Sequence, residues 1–210
     1  MSKDLNPEKS LIFRIMHHAN LAEMLDKGIF CRSESQKAKY EEIGNPELIE
    51  RRKDRTVDCE PGGTLSDYVP FYFTPYSPML YNILTGYSGI KKRPAEEILI
   101  LVSSLKKLQE KKVPFVFTDR HAYLRTAQFS SNLADLNWID WQTLQDRNFK
   151  KDNIDRFEKY QAEALVYKKV PFDALLGVVC YTDSVREAVQ AEFTKKKLDT
   201  KIIAQTKWYL

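Results

Sequence analysis

A carboxamide and a carboxylate stand two residues apart where an apolar run begins. Gln161 and Glu163 precede Ala164-Leu165-Val166. Side chains two apart in a strand point to the same face, so a strand starting here would present Gln161 and Glu163 side by side. Such a pair beside an apolar floor could hold a sugar hydroxyl and stabilise positive charge at the neighbouring carbon. Alone it is a weak signal, because polar residues often open a strand.

The size and composition of the chain predict one intracellular domain. The chain has 210 residues, of which 43% are hydrophobic, and this suits a single core. It holds no window of about 18 apolar residues, so no membrane span is predicted. The polar N-terminus lacks the apolar core of a signal peptide. We therefore expect a cytoplasmic protein with no membrane partner.

The cysteines and the basic residues limit the classes of ligand. Cys31, Cys59 and Cys180 are far apart and form no Cys-x-x-Cys motif, which argues against a disulfide framework and a zinc site. We expect no metal. The net charge is +4, and lysine clusters accompany 11 Tyr, 11 Phe and 3 Trp. This composition permits a single-stranded nucleic-acid partner, because such sites combine positive charge with aromatic stacking platforms.

Hydrophobic patterns and turn signals predict a mixed α+β chain without regular βαβ alternation. The predicted strands are residues 11–16, 68–74, 97–103, 113–118, 163–170, 175–181 and 201–206. The predicted helices are residues 21–26, 46–53, 77–84, 104–111, 138–147 and 183–197. Asn20 and Asp183 are expected to cap two of these helices, and Trp138 and Trp141 to pack inward from a third. No G-x-G-x-x-G or P-loop motif is present, so a bound nucleotide would not sit in a Rossmann fold.

Four landmarks precede the Gln161-Ala162-Glu163 triplet. They are Phe13–His17 with Asn20-Leu21, Glu50-Arg51-Arg52, residues 62–73 with 77–80, and residues 115–122. In this order and spacing they resemble the DarT family of DNA ADP-ribosyltransferase toxins, from about residue 11 to Leu210. The resemblance implies a single-domain α+β fold of the ADP-ribosyltransferase type, with a split, mainly antiparallel central sheet and flanking helices. Residues 1–10 would be an N-terminal tail and 11–210 the domain.

The resemblance also implies a function. Such toxins transfer ADP-ribose from NAD onto thymidine bases of single-stranded DNA within a short sequence context. A cognate antitoxin, DarG, would remove the adduct with its macrodomain. The alternatives are a different acceptor, namely guanosine, RNA or protein, and a catalytically silent protein that binds single-stranded nucleic acid.

Residue by residue, the resemblance assigns roles to matching positions. Residues 36–53 would cover NAD, and residues 121–163 would form the substrate-recognition loop. The implied catalytic residues are Glu163, Arg52, which would also contact NAD, and His121 near the base. The implied cofactor contacts are Arg14, Ile15 and Met16 in the first strand, with Glu23, Cys31 and Arg52.

Elementary chemistry refines these assignments. Arg14 and Ser66 stand where some relatives have histidine; Arg14 could grip a pyrophosphate bidentately, whereas Ser66 leaves the role of its position open. A guanidinium stays protonated, so Arg52 is a better electrostatic stabiliser than a base. Glu163→Ala is expected to remove transfer and to keep the fold, on the premise that Glu163 is a site residue and not a core residue.

Overall fold

The computed structural model describes residues 2–37 and 39–209, which form ten β strands, seven α helices and several 3-10 turns. The helices are α1 (Leu21–Lys27), α2 (Pro46–Arg52), α3 (Pro78–Thr85), α4 (Leu105–Glu110), α5 (Trp141–Asp146), α6 (Ile154–Lys159) and α7 (Asp183–Lys195). The strands are β1 (Leu11–His17), β2 (Ile29–Phe30), β3 (Tyr68–Tyr72), β4 (Ile98–Ser104), β5 (Phe115–Thr118), β6 (Phe129–Ser130), β7 (Glu163–Tyr167), β8 (Lys169–Val170), β9 (Gly177–Cys180) and β10 (Lys201–Ala204).

Short polar residues set the starts of most helices. The Asn45 side chain accepts hydrogen bonds from the backbone N–H groups at the start of α2, and Pro46 occupies its first turn. Ser77 and Ser104 cap α3 and α4 in the same way. The sequence predicted these three starts to within a residue, because a cap is a local interaction.

Two predicted caps are wrong. The side chain of Asn20 makes no capping hydrogen bond to α1; instead it binds both the backbone N–H and the carbonyl of Glu41. The hydroxyl of Thr182, not Asp183, accepts the hydrogen bond that caps α7. In the first case the Asn20 amide binds the backbone of a distant residue instead of the helix end. In the second case the preceding residue, Thr182, supplies the cap.

The main sheet has eight strands in the order β10-β9-β4-β1-β3-β7-β5-β6, and β2 pairs with β8 in a separate ribbon. Among the described strands only the β9–β10 pair is parallel. This mixed, mainly antiparallel sheet with flanking helices confirms the predicted α+β fold. The interior strand β4 is buried on both faces, as its continuous apolar run predicted.

The sheet is nearly divided between β1 and β3. Those strands are in register at one pair, Phe13 with Tyr72. In contrast, β1 pairs with β4 along its whole length, and β3 does so with β7. We call this weak junction the seam; it is where the sheet splits.

The N-terminal residues and the segment 121–163 contain more regular structure than the sequence suggested. Leu5 is fully buried and its carbonyl accepts a hydrogen bond from Gln145, so part of segment 1–10 packs against the domain. The segment 121–163 contains β6, α5 and α6. Trp138 ends a 3-10 turn and is 40% exposed, whereas Trp141 begins α5 and packs edge-on against Phe73. The predicted inward packing is therefore wrong for Trp138, because the two tryptophans do not share a helix.

Candidate active site

An open cavity lies beside the seam, between β1, β3 and the segment that includes α2. The walls combine apolar side chains with several arginines. Six of the predicted site residues line it: Arg14, Ile15, Met16, Cys31, Arg52 and Glu163. The fold thus brings residues from both ends of the chain to one place.

Glu163 and Arg52 form the centre of the cavity wall. Glu163 opens β7 and is 1% exposed. Its Oε1 accepts from Arg52 Nη1 at 2.9 Å and its Oε2 from Arg52 Nη2 at 2.6 Å, a bidentate pair. The backbone N–H of Ala122 also donates to Oε1, at 3.1 Å. The carboxylate is therefore buried with both oxygens satisfied.

The electrostatics of the pair keep both groups ionised. Burial opposes the charge of Glu163, but the Arg52 charge, His121 and the hydrogen bonds from Arg52 and Ala122 together hold the pKa of Glu163 below its usual range. Burial likewise disfavours the Arg52 cation, yet the adjacent carboxylate outweighs it and raises the pKa of Arg52. Arg52 is thus a fixed cation next to a fixed anion.

His121 stands next to this pair. Its Nδ1 is 3.8 Å from Glu163 Oε1 and accepts a hydrogen bond from the backbone N–H of Tyr123 at 3.2 Å. Burial is the main cause that lowers the pKa of His121; Arg52 lowers it further and Glu163 opposes the shift. The imidazole is therefore neutral at pH 7. Because Nδ1 accepts, Nε2 carries the ring proton.

Arg14 fits an anionic ligand. Its Nη1 donates to the Pro70 carbonyl at 2.8 Å, which anchors the side chain across the seam. Its buried Nε–H has no hydrogen-bond partner among the described residues. Burial lowers the pKa of Arg14 to about 10, so the side chain remains a cation at neutral pH. A phosphate oxygen in the cavity would supply the missing acceptor.

Three residues that the sequence singled out are not among those that line the cavity: His121, Gln161 and Glu23. Gln161 precedes β7, and its Nε2 donates to the Phe157 carbonyl at 3.0 Å. The prediction that Gln161 and Glu163 share a strand face is therefore wrong, because the strand begins at Glu163. Glu23 pairs with Lys27 on α1 at 3.0 Å and is not among the residues that line the cavity. Its cofactor contact stays a prediction.

Two further residues belong to the site and were missed. Tyr72 lies opposite Glu163 in the β3–β7 register and lines the cavity. Burial and the nearby Glu163 charge raise the pKa of Tyr72, so its hydroxyl stays protonated. The alternation of Tyr68, Pro70 and Tyr72 along β3 was the available signal, since these positions share a face.

Asp67 supports the cavity wall from outside it, between Ser66 and Tyr68, which line the cavity. Its carboxylate accepts from Ser33 Oγ at 2.9 Å, from Lys168 Nζ at 2.6 Å and from the backbone N–H of Thr64 at 2.9 Å. Although burial opposes it, these contacts lower the pKa of Asp67 to about 2. Asp67 thereby ties the 3-10 turn Arg32–Lys37 to the sheet. The capping-box spacing of Thr64 and Asp67 was its only signal in the sequence.

The described residues contain neither a cluster of metal ligands nor a membrane-spanning helix. Within residues 2–37 and 39–209, no group of three or more His, Cys, Asp or Glu side chains is placed to hold a metal ion. In the same part of the chain, no helix is long and apolar enough to cross a membrane.

Comparison with known proteins identifies the family. The profile of DarT, described as a single-stranded DNA thymidine ADP-ribosyltransferase, matches residues 13–210. A DNA ADP-ribosyl transferase of Escherichia coli O127:H6 (strain E2348/69 / EPEC) is 46% identical over 211 residues, which cover 99% of this chain and 97% of that protein. The chain therefore belongs to the DarT family, as the sequence landmarks predicted.

Solved structures agree with this assignment. The structure of Thermus sp. 2.9 DarT in complex with ADP-ribosylated single-stranded DNA has a TM-score of 0.91 and 35% sequence identity, covering 97% of this chain and 98% of that one. The same Thermus protein in complex with NAD+ has a TM-score of 0.85 and 35% identity, covering 97% of this chain and 99% of that one. The backbone described above is thus the DarT fold.

Proposed function

We propose that this chain transfers ADP-ribose from NAD onto thymidine in single-stranded DNA, with Glu163 as the catalytic carboxylate. The observation that carries the assignment is the position of Glu163. It is an ionised carboxylate, 1% exposed, in the wall of a cavity whose other polar groups include Arg14 and Arg52. A buried, ionised carboxylate is costly unless it is paired, and such groups concentrate at functional sites.

NAD would occupy the cavity beside the seam. The Arg14 guanidinium suits its pyrophosphate, because Nε–H lacks an acceptor and a phosphate oxygen would provide one. Ile15, Met16 and Cys31 would contact the remainder of the nucleotide. Residues 36–53 would cover it. This places one part of NAD on β1 and its reacting sugar beside β7.

Glu163 would stabilise the positive charge that develops on the ribose carbon as its bond to nicotinamide breaks. The electrons of that bond leave with nicotinamide, which departs neutral. A ring nitrogen of thymine forms the new bond to the same carbon. The proton of that nitrogen is released, so one proton appears in solution for each ADP-ribose transferred.

Arg52 and His121 would act on the base. The raised pKa of Arg52 makes it a fixed cation that stabilises negative charge developing on thymine, not a proton acceptor. Neutral His121, with its proton on Nε2, would donate a hydrogen bond to a thymine carbonyl. Glu163 would thus stabilise the sugar, whereas Arg52 and His121 would stabilise the base.

Single-stranded DNA follows from the chemistry of the acceptor. The ring N–H of thymine is engaged in Watson–Crick pairing within a duplex, so an enzyme that attacks it must flip the base or use single strands. The segment 121–163 leaves Tyr123 38% exposed next to His121, where a base could approach the site.

The family resemblance supports a biological role. We propose that the chain is the toxin of a toxin–antitoxin pair in the cytoplasm. Its partner would be DarG, whose macrodomain would remove ADP-ribose from DNA.

The deciding experiment incubates the protein with NAD and an oligonucleotide that contains all four bases, followed by mass spectrometry. We expect a gain of one ADP-ribose that maps to thymidine and is absent with duplex DNA or with Glu163→Gln. A gain on guanosine, or on RNA or protein supplied instead of DNA, would reassign the acceptor. DNA binding without any transfer would establish the silent binding protein instead.

A further inference from the structure

Four aromatic rings form a continuous row from the buried core to the surface. We call it the aromatic ladder: Tyr160, Phe149, Tyr81 and Tyr87. Successive ring centroids are 5.3, 5.8 and 6.2 Å apart. Tyr160 is fully buried, Tyr81 is 37% exposed and Tyr87 is 51% exposed, the most exposed aromatic side chain of the described residues. The outer half of the ladder therefore leaves part of each ring exposed to solvent.

Lysines and an arginine lie along the same row. The Nζ of Lys151 is 5.7 Å from the Tyr87 ring centroid and 5.5 Å from that of Phe157. The Arg147 guanidinium lies 3.7 Å over the ring of Tyr76. Lys151 and its exposed neighbour Lys150 have no ion pair among the described residues, unlike the lysines of α6 and α7 that pair with carboxylates. Within the described residues, Lys150 and Lys151 thus place positive charge beside the ladder that no carboxylate contacts directly.

The inner end of the ladder is close in sequence to the active site. Tyr160 lies three residues before Glu163, and its hydroxyl donates to the Tyr76 carbonyl at 3.0 Å. The helix α3 carries Tyr81 on the ladder and Met79 in the wall of the cavity.

We propose that the outer ladder, Tyr81 and Tyr87 with Lys150 and Lys151, binds nucleotides of the single-stranded DNA that flank the modified thymidine. Exposed aromatic faces stack on unpaired bases of any sequence, and adjacent lysines meet the phosphates. The polyanionic backbone suits the unpaired lysines. This proposal rests on the proposed function, and it adds a second contact region outside the catalytic cavity.

The experiment compares two substrates that share one target thymidine, an oligonucleotide of about 5 nucleotides and one of about 20, against a site size of about 4–16 nucleotides. In the variant Tyr87→Ala with Lys151→Ala, we expect the KM of the long oligonucleotide to rise about tenfold. For the same variant, we expect wild-type values of kcat with the long oligonucleotide and of the KM for NAD. All constants for the short oligonucleotide should also be unchanged. Tyr87→Phe with intact Lys151 keeps the ring face and behaves as wild type.

A control that removes two lysines elsewhere tests whether the KM depends on the position of the charges or only on the net charge of the protein. Lys106→Ala with Lys112→Ala removes two exposed lysines on and after α4, where no aromatic row exists. We expect this control to leave the KM of the long oligonucleotide unchanged. In contrast, Lys150→Ala with Lys151→Ala lowers the salt dependence of that KM, by about 0.7 in the log–log slope for each lysine.

Binding of the long oligonucleotide can be measured without NAD, which tests the ladder independently of catalysis. Fluorescence anisotropy of the long oligonucleotide without NAD should show about tenfold weaker binding for the Tyr87→Ala, Lys151→Ala variant, with an unchanged thermal unfolding midpoint. Equal binding by wild type and variant would overturn the proposal, whatever the transfer assay gives. Wild-type protein that binds through the ladder but transfers no ADP-ribose would instead contradict the proposed function alone.

Discussion

The Glu163–Arg52 pair and the outer aromatic ladder are opposite environments. The pair is buried, and every oxygen of the carboxylate has a donor. The ladder ends in Tyr87, which is 51% exposed, beside a lysine without an ion pair. The pair holds two charges in a fixed geometry before any ligand arrives, whereas the ladder leaves ring faces and charge open.

This contrast separates two kinds of function. A preorganised, desolvated pair can act on charge that develops in a transition state, so its loss should change rate or stability by orders of magnitude. An exposed row of rings and cations acts additively on a flexible polymer, so its loss should be partial and sensitive to salt. The predictions below test each half of the contrast.

Loss of the proposed catalytic carboxylate, Glu163, should have the largest effect. Glu163→Gln keeps the shape of the side chain but removes the charge, so we expect transfer to fall by at least about 100-fold. The rate of ADP-ribose transfer to the oligonucleotide measures this. Glu47→Gln, a 71% exposed partner of Arg51, is the control and should keep the wild-type rate. A Glu163→Gln enzyme within tenfold of wild type would remove Glu163 from the mechanism.

Breaking the pair from its other side should destabilise the fold. Arg52→Gln leaves Glu163 as an unpaired buried carboxylate, so the free energy of unfolding should fall by about 3–5 kcal/mol at pH 7. The neighbouring Arg51→Gln removes only an exposed pair and should cost about 0.5 kcal/mol or less. Urea unfolding of both variants checks this; equal losses would mean that the buried pair does not stabilise the fold.

The difference between Arg52→Gln and wild type should depend on pH. The folded-state pKa of Glu163 lies below its ordinary 4.5, so the stabilisation is complete above pH 4.5. It is lost as the pH falls through the folded-state pKa, because a protonated Glu163 no longer needs a counter-charge. The gap in unfolding free energy between variant and wild type should therefore narrow in acid. A gap that stays constant would contradict the electrostatic origin.

Loss of the Asp67 contacts with Ser33 and Lys168 should have an intermediate effect on NAD binding. Asp67→Asn loosens the turn Arg32–Lys37, so we expect the KM for NAD to rise about fivefold, with kcat little changed. Its stabilisation is complete above pH 3.8 and is lost as the pH falls towards about 2, the folded-state pKa of Asp67. Asp173→Asn, which breaks an exposed pair with Lys111, is the control and should leave both constants unchanged.

His121 should give the smallest effect near neutrality. Its folded-state pKa is below the ordinary 6.5, so the side chain is neutral and kcat/KM should be flat from pH 7 to 8. Below pH 6.5 the unfolded chain binds this proton more readily, so stability should fall with pH. His121→Asn should remove that part of the decline. Unfolding at pH 7.5 and 5.5 checks this, and an equal decline in variant and wild type would contradict it.

Local chemistry made several elements predictable. The Asn45-Pro46 and Ser77-Pro78 pairs specify helix starts through interactions within three residues, and both helices begin where expected. Asn20 failed because its amide binds the backbone of Glu41, which lies 21 residues away. A sequence pattern records which groups need partners, but it does not record which distant group will compete for them.

The candidate site likewise combines features that the sequence predicted with features that depend on distant parts of the chain. Glu163, Arg52 and His121 were named from landmarks and lie together around one carboxylate. The orientation of Gln161 was mispredicted, because the strand begins at Glu163 and the Gln161 amide, before it, binds the Phe157 carbonyl. Glu163 lines the cavity and is not a member of the hydrophobic core, although at 1% exposure it is as buried as a core residue. The hydrogen bond from Ala122 to Glu163 comes from a backbone N–H, so the residue type at position 122 could not predict it.

The seam between β1 and β3 has a thermodynamic consequence. In the proposed complex, NAD would contact Arg14 on one half of the sheet and Glu163 on the other, and one residue pair joins these halves in register. A ligand that spans them would couple two units that otherwise open separately. Amide exchange on both sides of the seam should then slow together as NAD rises, with about 1.4 kcal/mol of added protection for each tenfold excess over the dissociation constant.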